Sequence, residues 1–218
     1  MLIQALDQPR RMPTEVDFVL LWSALFLLFF GMVMVYSASI AIAEAGRFTA
    51  HQPAYFLLRH AIFLTIGIVA AAVAFQIPLA AWQKAAPLLF FAGVVLLIVV
   101  LIPGVGKDVN GARRWLPLGV ANLQPSELMK LFAALYAADY TVRKMAVMHD
   151  LKKAFLPMFG AMAFVGVLLL KEPDFGAFVV ITSIAMGILF LGGMRARLFA
   201  ILIVLLLAAF AVLIIVSP

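Results

Sequence analysis

"FVLLWSALFLLFFGMVMVYSASIAI" occupies residues 18–42 and contains no charged side chain. The run is longer than the roughly 20 residues with which a helix crosses the hydrocarbon core of a bilayer. It is also longer than the apolar part of a cleaved signal peptide, which covers roughly 7–15 residues. This stretch therefore predicts a retained membrane-spanning helix near the start of the chain.

The rest of the chain has a similar composition. Of its 218 residues, 67% are hydrophobic and 12% are charged, and the mean hydropathy is +1.17. Soluble domains contain about 45–50% apolar and about 25% charged residues, so this chain could not hide its apolar surface from water. The composition excludes a soluble protein. The net charge of +6 indicates membrane topology and anionic lipid rather than a nucleic-acid partner.

Seven apolar segments are long enough, or nearly long enough, to span a bilayer. Because lipid offers the backbone no hydrogen-bond partners, such segments must be helical. The predicted fold class is therefore an all-α polytopic membrane bundle. A segment of residues 1–17 precedes the bundle, which covers residues 18–216. The predicted spans are 18–40, 58–78, 86–102, 125–142, 154–170, 175–194 and 198–216.

Basic residues between the predicted spans favour a cytoplasmic N-terminus. In that orientation the inner loops hold more of them than the outer loops, and Lys130 lies inside a span. The inner residues are Arg10, Arg11, Lys84, Arg143, Lys144, Lys152, Lys153, Arg195 and Arg197, and the outer residues are Arg47, Arg59, Lys107, Arg113, Arg114 and Lys171. Arg113 and Arg114 lie on the outer side, where basic residues are less common. We therefore expect them to have a role other than setting the orientation of the chain.

The sequence contains neither a phosphate-binding loop nor a metal-binding motif. "GVGK" at 104–107 lacks the glycine spacing of a phosphate-binding loop, and the three histidines have no metal-ligand spacing. The chain contains no cysteine, which excludes a disulfide or a thiolate nucleophile within it. We therefore predict no metal site and no cofactor from these residues, although a divalent cation could accompany a phosphate-bearing substrate.

The start of the fourth predicted span, residues 124–130, combines a helix start with a lysine. Pro125 suits the first helical turn, and Glu127 in that turn faces the positive end of the helix dipole. A local ion pair with Lys130, three residues later, is one interpretation of Glu127. A lysine one turn inside a span usually faces a partner or a wet cavity, although its side chain could also extend to the surface. We predict a functional role for Lys130.

Two further charged groups lie on the predicted outer side. Arg113, Arg114 and Trp115 could hold a pyrophosphate, because arginine presents a planar donor fork that suits phosphate. Contact with ordinary lipid headgroups is the simpler interpretation of the same residues. Before the sixth span, Asp174 is predicted to cap a helix, and the role of Glu172 stays open. These residues suit an enzyme acting on an anionic lipid, and equally a transporter whose path begins at Lys130.

"NGARRW" (110–115), "QPSELMK" (124–130) and "KEPDFG" (171–176), in this order and spacing, resemble the SEDS family (shape, elongation, division and sporulation) of membrane glycosyltransferases. The resemblance covers the whole chain and is closer to division-type than to elongation-type members. It implies the first seven spans of a ten-span fold. It also implies that the catalytic aspartate lies in a large outer loop beyond residue 218. We therefore expect a truncated chain that has no catalytic residue and is inactive alone.

The resemblance further implies polymerisation of lipid II into peptidoglycan at the division septum of the bacterial inner membrane. The implied partners are lipid II, a class B penicillin-binding transpeptidase and other division membrane proteins, with no nucleic acid. The family motifs place a substrate site on Arg113, Arg114, Trp115, Gln124, Ser126, Glu127 and Lys130, with Glu172 and Asp174 as supporting residues. Two alternatives stay open: a flippase for lipid II, and a non-catalytic scaffold at the division site.

Overall fold

The computed structural model describes residues 17–46, 49–109, 111–119, 122–148, 150–197, 199–200 and 203–204. The helices described in full are α1 (Phe18–Ala45), α2 (Tyr55–Gln76), α3 (Leu79–Leu101), α4 (Pro125–Lys144), α5 (Leu156–Lys171) and α6 (Phe175–Leu191). A 3₁₀ turn, Met145–Val147, and a π-helical turn, Leu151–Phe155, lie between α4 and α5. A small antiparallel sheet lies between α3 and α4 in the sequence.

Several of these helices have the length and composition of membrane spans. Within the described residues, the helical segments that meet both requirements are Phe18–Ala45, Tyr55–Gln76, Leu79–Leu101 and Leu151–Lys171. Helix α6 is apolar but shorter. Helix α4 carries charged residues along its length, among them Glu127, Lys130 and Asp139. The predicted polytopic helical membrane fold is confirmed, and the small sheet is an addition to it.

Three segments differ from the predicted pattern of spans or lie outside the described residues. Helix α3 begins at Leu79, so the predicted start at residue 86 was wrong. Pro87 lies inside this helix, as membrane helices allow when their surroundings satisfy the freed backbone groups. The segment between the third and fourth predicted spans, residues 103–124, contains the sheet. The seventh predicted span, 198–216, lies almost entirely outside the described residues.

The first compact unit of the chain, Met1–Ala80, contains α1 and α2. Asp17 caps α1, because its Oδ1 atom accepts hydrogen bonds from the backbone N–H groups of Val19 and Leu20, at 3.0 and 3.1 Å. Across the described residues of these two helices, Ala43 is the single buried side chain. The exposed side chains of both helices are almost all apolar, which fits helices that lie within a bilayer.

The second compact unit, Ala81–Pro218, has a core built around α6, which packs against α4 and α5. Its fully buried side chains include Met129 from α4, Leu169 from α5 and Leu189 from α6. A Cβ atom placed on Gly93 of α3 would lie 2.6 Å from Met129 Sδ, so α3 approaches α4 closely there. This packing fixes where α4 begins and where α5 gives way to α6.

We call residues 107–123 the outer sheet, after the side of the bilayer on which the distribution of basic residues predicts it. Its strands are β1 (Lys107–Val109), β2 (Ala112–Pro117) and β3 (Asn122–Leu123), in the order β1-β2-β3 and all antiparallel. Asp108 lies opposite Arg113 across the first pair. Two residues, Asn-Gly in the sequence, connect β1 to β2, and Gly111 has a φ of +77°. Asn-Gly between two strands is a strong hairpin signal, and it could have predicted this sheet.

Candidate functional site

Three segments meet at one end of the second unit: strand β2, the start of α4 and the turn between α5 and α6. Hydrogen bonds connect the turn to each of the other two segments. We name the residues that meet there the outer junction; they are Arg114, Gln124, Ser126, Glu172 and Asp174. The three motifs of the sequence therefore form one site, although long stretches of chain separate them.

Asp174 connects the turn to the start of α4. Its Oδ2 atom accepts a hydrogen bond from Ser126 Oγ at 2.9 Å and another from Gln124 Nε2 at 3.2 Å. Its Oδ1 atom accepts from the backbone N–H of Ala177 at 3.1 Å and so caps α6. The capping role predicted for Asp174 is confirmed. Because Ser126 and Asp174 are both buried, this contact stabilises the junction more than an exposed one would.

Arg114 connects the turn to strand β2. Its Nε atom donates a hydrogen bond to the backbone carbonyl of Glu172 at 3.0 Å, and its Nη2 atom donates to the carbonyl of Pro173. A charged donor to a carbonyl makes a stronger hydrogen bond than a neutral one. Two such bonds from one planar group also fix its orientation. Arg114 therefore holds the outer sheet against the turn.

Glu172 is the buried acid of the junction. Its side chain is 0% exposed, and neither carboxyl oxygen has a hydrogen-bond partner among the described residues. Burial raises the pKa of Glu172 to about 8, the negative charge of Asp174 raises it as well, and Arg114 lowers it. The carboxyl group is therefore mainly neutral at pH 7.

Glu127 and Lys130 lie next to the junction on α4 and are more open. Lys130 Nζ lies 2.7 Å from Glu127 Oε1, and the side chains are 27% and 58% exposed. The local ion pair predicted from their spacing is present. An exposed pair of this kind contributes about 0–1 kcal/mol to stability, so its main effect is to orient the ammonium group toward the start of the helix.

Arg113 and Arg114 are neighbours in β2 but contact different partners. Side chains alternate between the two faces of a strand. Arg113 Nε lies 3.6 Å from Asp108 Oδ2 on β1, and both of these side chains are well exposed. Arg114 contacts the α5–α6 turn instead. The two guanidinium groups therefore do not converge on one point, and Trp115, which follows them, is half-buried.

Apart from Trp115, the predicted site residues thus fall into two sets. Arg114, Gln124, Ser126, Glu172 and Asp174 form the outer junction, whereas Arg113, Glu127 and Lys130 are more open to the surroundings. Sequence reasoning did not foresee the contacts between Ser126 and Asp174 or between Arg114 and the turn. Within the described residues, no three His, Cys, Asp or Glu side chains are grouped so that they could hold a metal ion.

Residues 18–218 match the sequence profile of the FtsW/RodA/SpoVE family, described as cell cycle proteins. A protein of Aromatoleum aromaticum named "Probable peptidoglycan glycosyltransferase FtsW" is 60% identical over 216 residues, 99% of this chain and 53% of the relative. A protein of the same name from Burkholderia thailandensis is 50% identical over 204 residues, 94% of this chain and 44% of the relative. The chain spans about half the length of these curated relatives.

The fold is also similar to solved structures. The crystal structure of the Thermus thermophilus rod shape determining protein RodA matches with a TM-score of 0.62 and 26% identity, over 82% of this chain and 58% of that one. A chain described under "Structural coordination of polymerization and crosslinking by a peptidoglycan synthase complex" matches with a TM-score of 0.63 and 29% identity. This second match covers 87% of the present chain and 55% of the other.

Proposed function

The chain belongs to the FtsW/RodA/SpoVE family of cell cycle proteins, and we propose that the protein containing it polymerises lipid II into peptidoglycan strands during cell division. The relatives' names support a glycosyltransferase of the division type and favour neither a flippase nor a scaffold. The observation that carries this chain's part in the reaction is the open Glu127–Lys130 pair, on a helix whose start the outer junction holds in place.

The proposed reaction is a glycosyl transfer. A base takes the proton of the 4-hydroxyl group of an acceptor lipid II. The oxygen attacks the anomeric carbon of the growing strand, the bond to the pyrophosphate breaks, and undecaprenyl pyrophosphate leaves. The family resemblance implies that the base is an aspartate in a large outer loop. We assign binding and charge compensation to the residues described below.

Lys130 is the leading candidate for contact with the pyrophosphate. Negative charge develops on that group as it leaves, and a cation already oriented toward it lowers the barrier. Glu127 Oε1 lies 2.7 Å from Lys130 Nζ, and the Lys130 side chain is partly exposed. Arg113 supplies a second accessible cation on β2. The five residues of the outer junction connect β2 and the start of α4 to the same turn and so fix their relative positions. We therefore assign a positioning role to these residues.

The partners and the location follow from the same proposal. A class B penicillin-binding transpeptidase would cross-link the strands that this protein makes. Support comes from the similarity to a chain of a peptidoglycan synthase complex described as coordinating polymerisation and cross-linking. We place the protein at the division septum together with other division membrane proteins. Its location as a multi-pass protein of the inner membrane follows from the apolar helices and the family.

The test is polymerisation of lipid II by the purified full-length protein. We expect Lys130→Ala to lower the rate of glycan formation by about 10²-fold, which is typical of removing one charge-stabilising group. Lys152→Ala is the matched control, because it removes the same charge from an exposed position in the turn before α5. Normal glycan output from well-inserted Lys130→Ala protein would contradict the role of Lys130. Lipid II transport without chain growth in the unsubstituted protein would contradict the glycosyltransferase.

A further inference from the structure

Glu172 combines complete burial with unused hydrogen-bonding capacity. Its side chain is 0% exposed, and both carboxyl oxygens are without partners among the residues that the structure describes. A charged carboxylate in such a place would lose its hydration and gain no hydrogen bond in return, which costs several kcal/mol. A neutral carboxyl group avoids most of this cost, so the geometry itself favours the protonated form.

The charged groups that change the pKa of Glu172 are Asp174, in the same turn, and Arg114 on β2. Arg114 donates to the backbone carbonyls of Glu172 and Pro173, whereas the carboxyl oxygens of Glu172 accept no hydrogen bond. Asp174 already accepts from Gln124, Ser126 and the N–H of Ala177. The other charged groups on the elements packed around the turn are Lys171 on α5, Glu127 and Lys130 on α4, and Lys107, Asp108 and Arg113 on the outer sheet. Helix α4 also carries Asp139, Arg143 and Lys144, which lie toward its other end.

We propose that Glu172 is a positioning residue that works as a neutral carboxyl group, keeping Arg114 on the backbone of the α5–α6 turn and the outer sheet beside α4. An ionised Glu172 would offer Arg114 a stronger acceptor than the carbonyls that it now contacts. It would also place a second negative charge next to Asp174, which holds the start of α4. Ionisation therefore loosens both contacts of the turn at once. The pKa of about 8 that burial imposes on Glu172 places this change just above neutral pH.

The consequence for activity rests on the proposed function. Arg113 lies on the sheet that Arg114 holds, and Lys130 lies on the helix whose start Asp174 holds. Loss of the neutral carboxyl group would shift the two cations relative to each other. Glycan synthesis by the full-length protein should therefore decline as pH rises through about 8, without any change in the residues that contact substrate.

The first experiment measures stability and does not depend on activity. Thermal unfolding of the detergent-solubilised full-length protein is followed from pH 5 to pH 9 for the unsubstituted protein, Glu172→Gln and Glu127→Gln. The pKa of Glu172 is raised in the folded state, so its carboxyl group ionises first in the unfolded chain. Its stabilising contribution is complete below the unfolded pKa and is lost as pH rises toward 8.

We expect the unsubstituted protein to lose Tm relative to Glu172→Gln as pH rises from 5 to 8, and the difference to level off above that. Glu127→Gln, which changes an exposed acid, should not show this trend. Parallel curves for the unsubstituted protein and Glu172→Gln would overturn the proposal. Asp174→Asn gives a check that keeps Glu172. Removing the neighbouring negative charge should end the loss of stability at a lower pH, and an unchanged end point would also overturn the proposal.

The second experiment measures the pH profile of glycan formation. We expect Glu172→Gln to be active at pH 7 and to lack the alkaline decline of the unsubstituted protein. A folded but inactive Glu172→Gln, or a decline identical in both proteins, would overturn the positioning role. If the purified full-length protein formed no glycan, the proposed function would fail, whereas the unfolding curves would still decide the protonation state of Glu172.

Discussion

At the scale of single residues, two glycines of α5 differ sharply in their surroundings. A Cβ atom on Gly166 would lie 2.6 Å from Cε2 of the Phe178 ring on α6, whereas one on Gly160 would meet nothing within 4 Å. Contacts under 3 Å force the ring or the helices to move. Gly166 therefore permits the close approach of α5 to α6, and Gly160 serves no such purpose.

We expect Gly166→Ala to destabilise the protein by about 1–3 kcal/mol, as overpacking of a core typically does. Gly160→Ala is the matched control on the same helix, and it should be neutral or stabilising by up to about 1 kcal/mol, because alanine is the better helix former. Thermal unfolding of both variants in one detergent measures the difference. Equal stabilities would show that the Phe178 ring moves aside at no cost.

The residue contacts that could be predicted from the sequence are the local ones. The pair of Glu127 with Lys130 and the cap that Asp174 gives to α6 each connect positions three residues apart. Helix geometry alone decides such contacts. The bond from Ser126 to Asp174 spans 48 positions, and that from Arg114 to the carbonyl of Glu172 spans 58. These depend on how the helices pack, which residue spacing does not reveal.

At the scale of elements, the start of α4 is fixed from outside the helix. Gln124, at the N-cap position, makes no capping hydrogen bond with its side chain, and Pro125 occupies the first turn. The hydrogen bonds from Ser126 and Gln124 to Asp174 connect this start to α6. The motif at residues 124–130 is therefore connected directly to the motif at residues 171–176. Substitutions in the two motifs should not act independently.

A double-mutant cycle tests this dependence. We expect Ser126→Ala and Asp174→Asn to show a coupling free energy of about 0.5–3 kcal/mol in unfolding, as residues in one hydrogen-bond network do. Ser126→Ala combined with Arg143→Gln is the control. Arg143 contacts Asp139 near the other end of α4, so that pair should be additive within about 0.5 kcal/mol. Additivity in both cycles would mean that the hydrogen bond from Ser126 to Asp174 does not hold α4 to α6.

At the scale of the whole molecule, hydropathy predicted the polytopic helical fold because the bilayer allows few other structures. It placed α1, α2, α4, α5 and α6 within several residues of their observed bounds. It failed where polar residues and a proline interrupt an apolar run, at the start of α3. It also missed the outer sheet, because short strands outside the hydrocarbon core have no hydropathy signal. The candidate site lies beside that sheet, so its contacts could not be derived from the pattern of spans.

The orientation of the chain in the membrane stays a prediction from the distribution of basic residues, and it has a direct test. Leu118, in the outer sheet, and Leu151, before α5, are 63% and 46% exposed, and the predicted orientation places them on opposite sides of the bilayer. In a cysteine-free background, a membrane-impermeant maleimide should label Leu118→Cys in intact spheroplasts. It should label Leu151→Cys only after permeabilisation, because this position would face the cytoplasm.

Labelling of both variants in permeabilised cells confirms that each thiol is accessible. The opposite pattern in intact spheroplasts would place Lys130 and the outer junction near the cytoplasmic face, away from the side on which peptidoglycan strands are assembled.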